Sequence, residues 1–454
     1  MNFQIKIKYL YVLSGLIMAL LLLLIPGTNT LVVNSILTVC MLFCIFDAFF
    51  KKMYLFFLFE VLTTELLAVM LIRSLVLHLS EDSWRVTYNI DDVSNISLRY
   101  IAMSLAIIGI VQILGMIMSN KNKATFSFSH SQNLKINNFN PILLFFNGFA
   151  VLFLAYFILK AQVFSTRNYA ETIDTTFLPI FIMMISVYLF LFKDLLKNIK
   201  RNNLISLTTW IVSGCYILVF LIMAFKGYRF LLVQIGTLSF FMYVLNKRRV
   251  SIKSVCKLGI IGLVFYVVLI LIKTQYLDGQ NSNSLLFGHE RNIFFSLNAV
   301  IDNSFSAETN TYLSTLLNLL PKVITGNEHL NVSGIIMQYI NPTAYYQTGV
   351  TVGAFYLTEA YISFGKVGIF IVSLVISIIL LILERMKTKN ISPIYVYIYI
   401  FIGAQMFNIV YYGSLNYTKQ IIYFIIMLLL LRMGRVILFE QKNKVHDQVL
   451  KNGQ

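Results

Sequence analysis

Cations at the ends of apolar runs, and one carboxylate inside such a run, are the residues whose placement suggests chemistry. Lys226 and Arg229 share the four-residue turn KGYR, with Gly227 between them. Lys160 and Arg167 follow one apolar run, and Lys273 and Arg291 flank the start of a long hydrophilic connection. Arg can grip two phosphate oxygens at once and Lys acts as a point charge. Cations at a membrane surface can therefore hold the phosphates of a lipid-linked headgroup. For any one of them the plainer role is a solvated helix end, or a side chain snorkelling to lipid headgroups. Two cations in one short turn fit that plainer role least well.

Carboxylates supply the complementary chemistry. Transfer of a group to an alcohol needs a base near the acceptor hydroxyl. The triplet His289-Glu290-Arg291 places base and cation types side by side. Glu359 lies within the apolar stretch GAFYLTEAYISFG. A carboxylate there is costly unless paired, which marks it as functional or as a structural group held by Tyr or Ser hydroxyls. Glu60, Glu65 and Arg73 fall in an earlier apolar run, where ionisable groups suggest a transport pathway or a buried ion pair. The chain has no GxxxxGK[ST], no HExxH and no Asp-x-Asp pair, so chemistry on a cytoplasmic nucleotide is disfavoured.

The elements that must position these residues are membrane helices. Of the 454 residues 58% are apolar and only 12% charged, and mean hydropathy is +0.78. Soluble domains carry about 25% charged residues, so a soluble enzyme, a disulfide scaffold and a disordered regulator are excluded. The four cysteines, Cys40, Cys44, Cys215 and Cys256, all lie in or beside apolar runs and form no metal-ligand pattern. With roughly 20 apolar residues per crossing, spans are expected near 9–25, 31–50, 54–79, 99–118, 141–163, 176–195, 204–225, 230–246, 257–273, 366–383, 393–412 and 417–433. The fold class is thus all-α: a single integral membrane domain over 1–454 with about twelve transmembrane helices. Lys6 and Lys8 precede the first run, and PGTNT after it offers no small-residue cleavage site. If the N-terminus is cytoplasmic, about two-thirds of the 36 Lys and Arg fall on the cytoplasmic side. Both termini are accordingly expected inside. The net charge of +17 reads as this topology signal and not as nucleic-acid binding.

Residues 274–350 form the long connection, on the outer side in this topology. A structureless loop of that length is unusual, so it should fold or dock on the membrane. From Arg291 to Asn303, Ile293, Phe294, Leu297, Val300 and Ile301 share one helical face, while Arg291, Asn298 and Asp302 share the other. The pattern predicts an amphipathic helix lying in the outer interface.

The order of these features resembles a family. It runs from the KGYR turn to GHERNIFFSLNAVIDN, then TYLSTLLNLLPKVITG, then VGAFYLTEAYISFGKVGIF. This is similar to the Wzy-type O-antigen and capsule repeat-unit polymerases over about 205–385, and only architecturally before that. Gly227 and Arg229 match a Gly-x-Arg element, and Gly353, Glu359, Tyr361, Phe364, Gly365 and Gly368 match a Glu-Ala-Tyr stretch; Arg167 resembles an outer-loop Arg of such polymerases. The resemblance implies joining of undecaprenyl-diphosphate-linked oligosaccharide units at the outer face of a bacterial plasma membrane. It implies no cofactor and no metal, because the diphosphate is already an activated leaving group. Lys226, Arg229, Arg167 and Arg291 would hold the diphosphate, and Glu359, Glu290 or His289 would take the acceptor proton. The implied partners are the lipid-linked donor and acceptor, the bilayer, a chain-length regulator and a flippase. The alternatives are a lipid-linked oligosaccharide flippase, which leaves the long loop unexplained, and a ligase that moves finished glycan to another acceptor.

Overall fold

The computed structural model describes residues 15, 17, 30–72, 95–119, 148, 151–152, 155–156, 207, 210–218, 221, 236–237, 240–241, 257, 260, 264, 293, 296–301, 304–306, 310–317, 332–348, 353–386, 393–414, 418, 420–422, 424–426 and 429. Among the described residues the elements are helices: α1 (Thr30–Phe50), α2 (Tyr54–Ile72), α3 (Asn95–Ser119), α4 (Thr311–Leu317), α5 (Val332–Ile340), α6 (Pro342–Thr348), α7 (Tyr356–Met386) and α8 (Pro393–Tyr411). Four of them, α1, α2, α3 and α7, are long and apolar enough to cross a membrane. They coincide with the expected spans at 31–50, 54–79, 99–118 and 366–383, although α7 begins ten residues earlier than expected. Helix α8 coincides with the run at 393–412. The spans at 9–25, 141–163, 176–195, 230–246 and 257–273 lie wholly or largely outside the described residues, and those at 204–225 and 417–433 are described only in part.

Contacts divide the chain into two units. The first comprises Met1–Phe126, Gln280–Ser392 and Gln405–Thr418; the second comprises Ser127–Gly279, Pro393–Ala404 and Lys419–Gln454. In the second unit Phe241 is fully buried. Its ring meets Tyr399 edge-on at 5.6 Å and lies where a Cβ on Gly403 would stand, and Phe401 stacks on Phe424 at 4.0 Å.

The first unit is built on tight hairpins and small-residue packing. Helix α1 ends with Lys52 in the left-handed region (φ 61°). Met53 N–H bonds to Ala48 C=O and Lys52 N–H to Phe49 C=O, the pair of bonds that satisfies the last carbonyls of a helix. The chain then reverses directly into α2. Asn34 Nδ2 donates to Leu67 C=O at 3.3 Å, tying the other end of the hairpin. Helix α3 packs on α7 through small side chains. Tyr356 Oη and Ser373 Oγ each lie 2.6 Å from Ser104 Oγ, and Ser373 Oγ donates onward to Ile369 C=O. Hydroxyls and small residues let membrane helices approach closely, where burial of apolar surface supplies no drive between them.

The α1–α2 hairpin is also fastened from a distance. Glu384, in the last turn of α7 and 6% exposed, accepts Leu55 N–H at 2.7 Å. Leu55 is in the first turn of α2, where backbone N–H groups have no partner within their own helix. A carboxylate from another helix thus acts as the cap, favoured by the positive end of the helix dipole. Glu384→Ala is expected to lower stability by about 1–2 kcal/mol, the cost of losing a cap and leaving a buried donor unpaired. Glu384→Gln should cost much less, because its carbonyl can still accept. Thermal unfolding in detergent checks both, and equal Tm values for the three proteins would contradict the cap.

Within the long connection the described residues are helical at 296–301 and in α4, α5 and α6. The segment around 296–301 ends with Ser304 at φ 50°, Ser304 N–H bonding to Ile301 C=O and Phe305 N–H to Val300 C=O. Helix and terminus agree with the periodicity. The surroundings do not, because Asn298, placed on the polar face, is only 4% exposed, and Ser296 and Ala299 are buried with it. The described part of this helix is packed inside the unit on all sides, and Ser296 Oγ turns back to donate to Ile293 C=O.

Candidate functional site

Two interruptions of helical backbone meet in the first unit. The first precedes α7, where Gly353, Ala354 and Phe355 are extended before the helix starts at Tyr356. The second follows α8, where the chain leaves the helix after Tyr411, passes Gly413 at φ 77° and is helical again at Ser414. The two run side by side, joined by a parallel bridge between Ala354 and Tyr412. Gly353 makes this approach possible: a Cβ there would stand 2.8 Å from Tyr411 O and 2.6 Å from Ile293 Cγ1. Irregular backbone at membrane depth persists only where protein or a water-filled cavity satisfies it.

Glu359 supplies that satisfaction. It sits on the first turn of α7 and is 1% exposed. Its Oε2 accepts Ser414 N–H at 2.6 Å, and its Oε1 accepts the Ser414 hydroxyl. The Thr311 hydroxyl lies near the carboxylate. Thr311 opens α4, whose N-terminus is capped by Asn310 Oδ1 accepting Tyr312 N–H at 3.0 Å and Leu313 N–H at 3.2 Å.

The hydroxyls behind these donors are directed too. Ser414 gives its proton to Glu359, so at 2.7 Å it must accept from Thr315 Oγ1. The Thr311 and Ser363 hydroxyls share a hydrogen bond at 2.5 Å, and Thr311 N–H donates to Ser363 Oγ at 3.3 Å. The hydrogen bonds from Thr315 and Ser414 lead toward one carboxylate, which accepts both Ser414 donors, with Thr311 and Ser363 beside it.

Just beyond the cluster, α7 breaks at Gly365 (φ 63°, ψ −151°), a region of backbone space open essentially to glycine. The break separates the short helical piece carrying Glu359 and Ser363 from the long apolar remainder. The rings of Tyr312 and Phe364 stack at 5.8 Å beside it.

Of the residues expected from sequence, Gly353, Glu359, Tyr361 and Gly365 are described, and the first two belong directly to this arrangement. Tyr361 is buried with its ring 6.0 Å from Tyr100, a packing position. His289, Glu290, Arg291, Arg229, Lys226, Gly227 and Arg167 lie outside the described residues, as does Arg73. Glu65 is exposed, 3.4 Å from Tyr411 Oη, and Glu60 is buried. Ser414, Thr311, Thr315 and Ser363 were not expected; the one signal for them was the Gly413-Ser414 pair between two apolar runs. Among the described residues no three His, Cys, Asp or Glu side chains gather as a metal shell requires.

The comparison with known families falls on this same region. Residues 289–442 match the family model O-antigen polysaccharide polymerase Wzy. The match supports a Wzy-type polymerase, as the resemblance implied. It takes in the triplet 289–291, the Glu359 cluster and the Gly413 break, and does not reach Arg229, Lys226 or Arg167. The Wzy model describes a membrane family, in keeping with the apolar helices here. No curated protein and no solved structure matches the chain.

Gly413 gives a direct test of the arrangement. A Cβ there would stand 2.5 Å from Val332 Cγ1 and 3.2 Å from Glu359 Oε2, on backbone in the left-handed region. Gly413→Ala is expected to cost about 2 kcal/mol or more, from left-handed strain together with overpacking. A wild-type Tm in detergent for this variant would contradict the described turn.

Proposed function

We propose that this protein polymerises lipid-linked oligosaccharide repeat units into O-antigen or capsular polysaccharide. The observation that carries the reading is the Wzy match across the segment holding the Glu359 cluster and the broken backbone it fastens. The donor and acceptor are undecaprenyl-diphosphate-linked glycans, at the outer face of the plasma membrane. The acceptor hydroxyl attacks the anomeric carbon of the donor chain. The bond from that carbon to the diphosphate oxygen breaks, and polyprenyl diphosphate leaves with the electron pair. Arg229, Lys226, Arg167 and Arg291 hold the diphosphates and offset the charge that builds on the leaving group. His289 and Glu290, adjacent in sequence and beside Arg291, are the groups at hand for the acceptor proton. No metal is needed, because the leaving group is already activated. Both termini are cytoplasmic, and a flippase and a chain-length regulator supply substrate and set product length.

The test is an assay of purified protein with a synthetic polyprenyl-diphosphate repeat unit. The expected product is a ladder of oligomers that persists when divalent cations are chelated. A single transfer to another acceptor, or no transfer, would overturn the polymerase reading, and loss of the ladder in chelator would overturn metal independence. Arg229→Ala should lower turnover on the order of 10²-fold or more, and Arg229→Lys should also be impaired because bidentate geometry is lost. Wild-type ladders from Arg229→Ala at equal protein level would remove Arg229 from the site.

A further inference from the structure

We infer that Glu359 is a positioning residue that fixes the broken backbone at Gly413-Ser414, and that it is not the group that takes the acceptor proton. The inference rests on the polymerase reading and assigns roles within it. A proton acceptor must come within about 2.6–3.2 Å of the hydroxyl it serves, or reach it through one water. Glu359 is 1% exposed, and both oxygens are engaged by Ser414. The Thr311 hydroxyl lies near the carboxylate as well, and a Cβ at Gly413 would stand 3.2 Å from Oε2. Behind these donors Thr315 and Ser363 close a second ring of hydroxyls. The carboxylate is therefore committed to the chain on every side from which the cluster is described. What it holds is the start of the helical stretch at Ser414, where backbone N–H groups lack partners of their own, and with it the line of residues 411–414 against 353–355. This leaves His289 and Glu290 for the proton.

The two roles respond in opposite ways to two conservative changes. In Glu359→Gln the side-chain carbonyl still accepts Ser414 N–H. The amide donates to Ser414 Oγ, and the Ser414 hydroxyl turns to Thr315, reversing that branch of the network. In Glu359→Asp a carboxylate remains but is one methylene too short to reach Ser414. Positioning therefore predicts that Gln keeps turnover within about tenfold of wild type, keeps the shape of the pH–rate profile and keeps the Tm. It predicts that Asp and Ala both lose more than Gln, in turnover and in Tm. A base would give the reverse, with Gln lower by roughly 10²–10⁴-fold at wild-type Tm and Asp the better of the two; that outcome would overturn the inference. Should the Gln protein not fold, Ser414→Ala decides, since it leaves the carboxylate in place but removes a donor. Positioning expects its turnover to fall by about tenfold, and wild-type turnover would overturn the inference. If wild-type protein makes no ladder, the polymerase reading fails instead, and the Tm order of the three Glu359 variants still reads the clamp.

Discussion

A membrane helix can stop and restart only if something other than water takes up the backbone groups it frees. That constraint governs the first unit. The chain interrupts its helices at 353–355, at Gly365 and at 412–413; the first and last lie against each other, while Gly365 is half-buried beside the exposed Phe364 and Val367. The interaction that makes the last of these tolerable is the one between Glu359 and Ser414, in which a carboxylate from the start of α7 supplies acceptors to the restart after α8. The Glu384 contact with Leu55 solves the same problem at the far end of α7. One helix therefore carries two carboxylates, each accepting a buried backbone N–H at the start of another helical stretch. Both carboxylates are buried, and the helix dipole at such a start favours negative charge.

Much of this architecture was legible in composition and periodicity. Runs of about 20 apolar residues marked α1, α2, α3, α7 and α8 because nothing else in a chain 12% charged can be so apolar for so long. Glu359 was legible as costly, since a carboxylate inside GAFYLTEAYISFG must be held by something. Its partners were not. Ser414 and Thr311 are 55 and 48 residues away, and no period links them to α7. The Gly413-Ser414 pair looked like an ordinary connection because a short break within a helix and a loop between spans share the same residues. The helix at 296–301 was read from the right pattern and assigned the wrong surroundings. Asn298 made one face look polar, yet it is buried, and periodicity does not say whether a polar side chain meets headgroups or protein.

The functional consequence is a division of labour along the chain. The region that matches the Wzy family holds the buried polar contacts around Glu359. The cations proposed to hold diphosphate lie on other stretches: Arg167, Lys226 and Arg229 precede the matched region, and Arg291 stands at its beginning. Transfer between two large lipid-linked substrates depends on presenting an acceptor hydroxyl in line with a leaving diphosphate, where misplacement of an ångström is costly. A fixed crossing of broken helices suits that task better than a continuous one, because it places backbone and hydroxyl groups at defined depth.

The central claim, that the segments 353–355 and 411–414 lie side by side as a fixed crossing, is tested most directly by disulfide trapping. Ala354→Cys and Tyr412→Cys are introduced together after Cys40, Cys44, Cys215 and Cys256 are replaced by Ser. Bridged residues on neighbouring extended segments are about 5 Å apart, within the range a disulfide spans. Mild oxidation in native membranes is expected to link the pair within one chain in most molecules, as read by mass spectrometry of the cleaved protein. Two thiols that both remain open to alkylation after oxidation would contradict the crossing and everything argued from it.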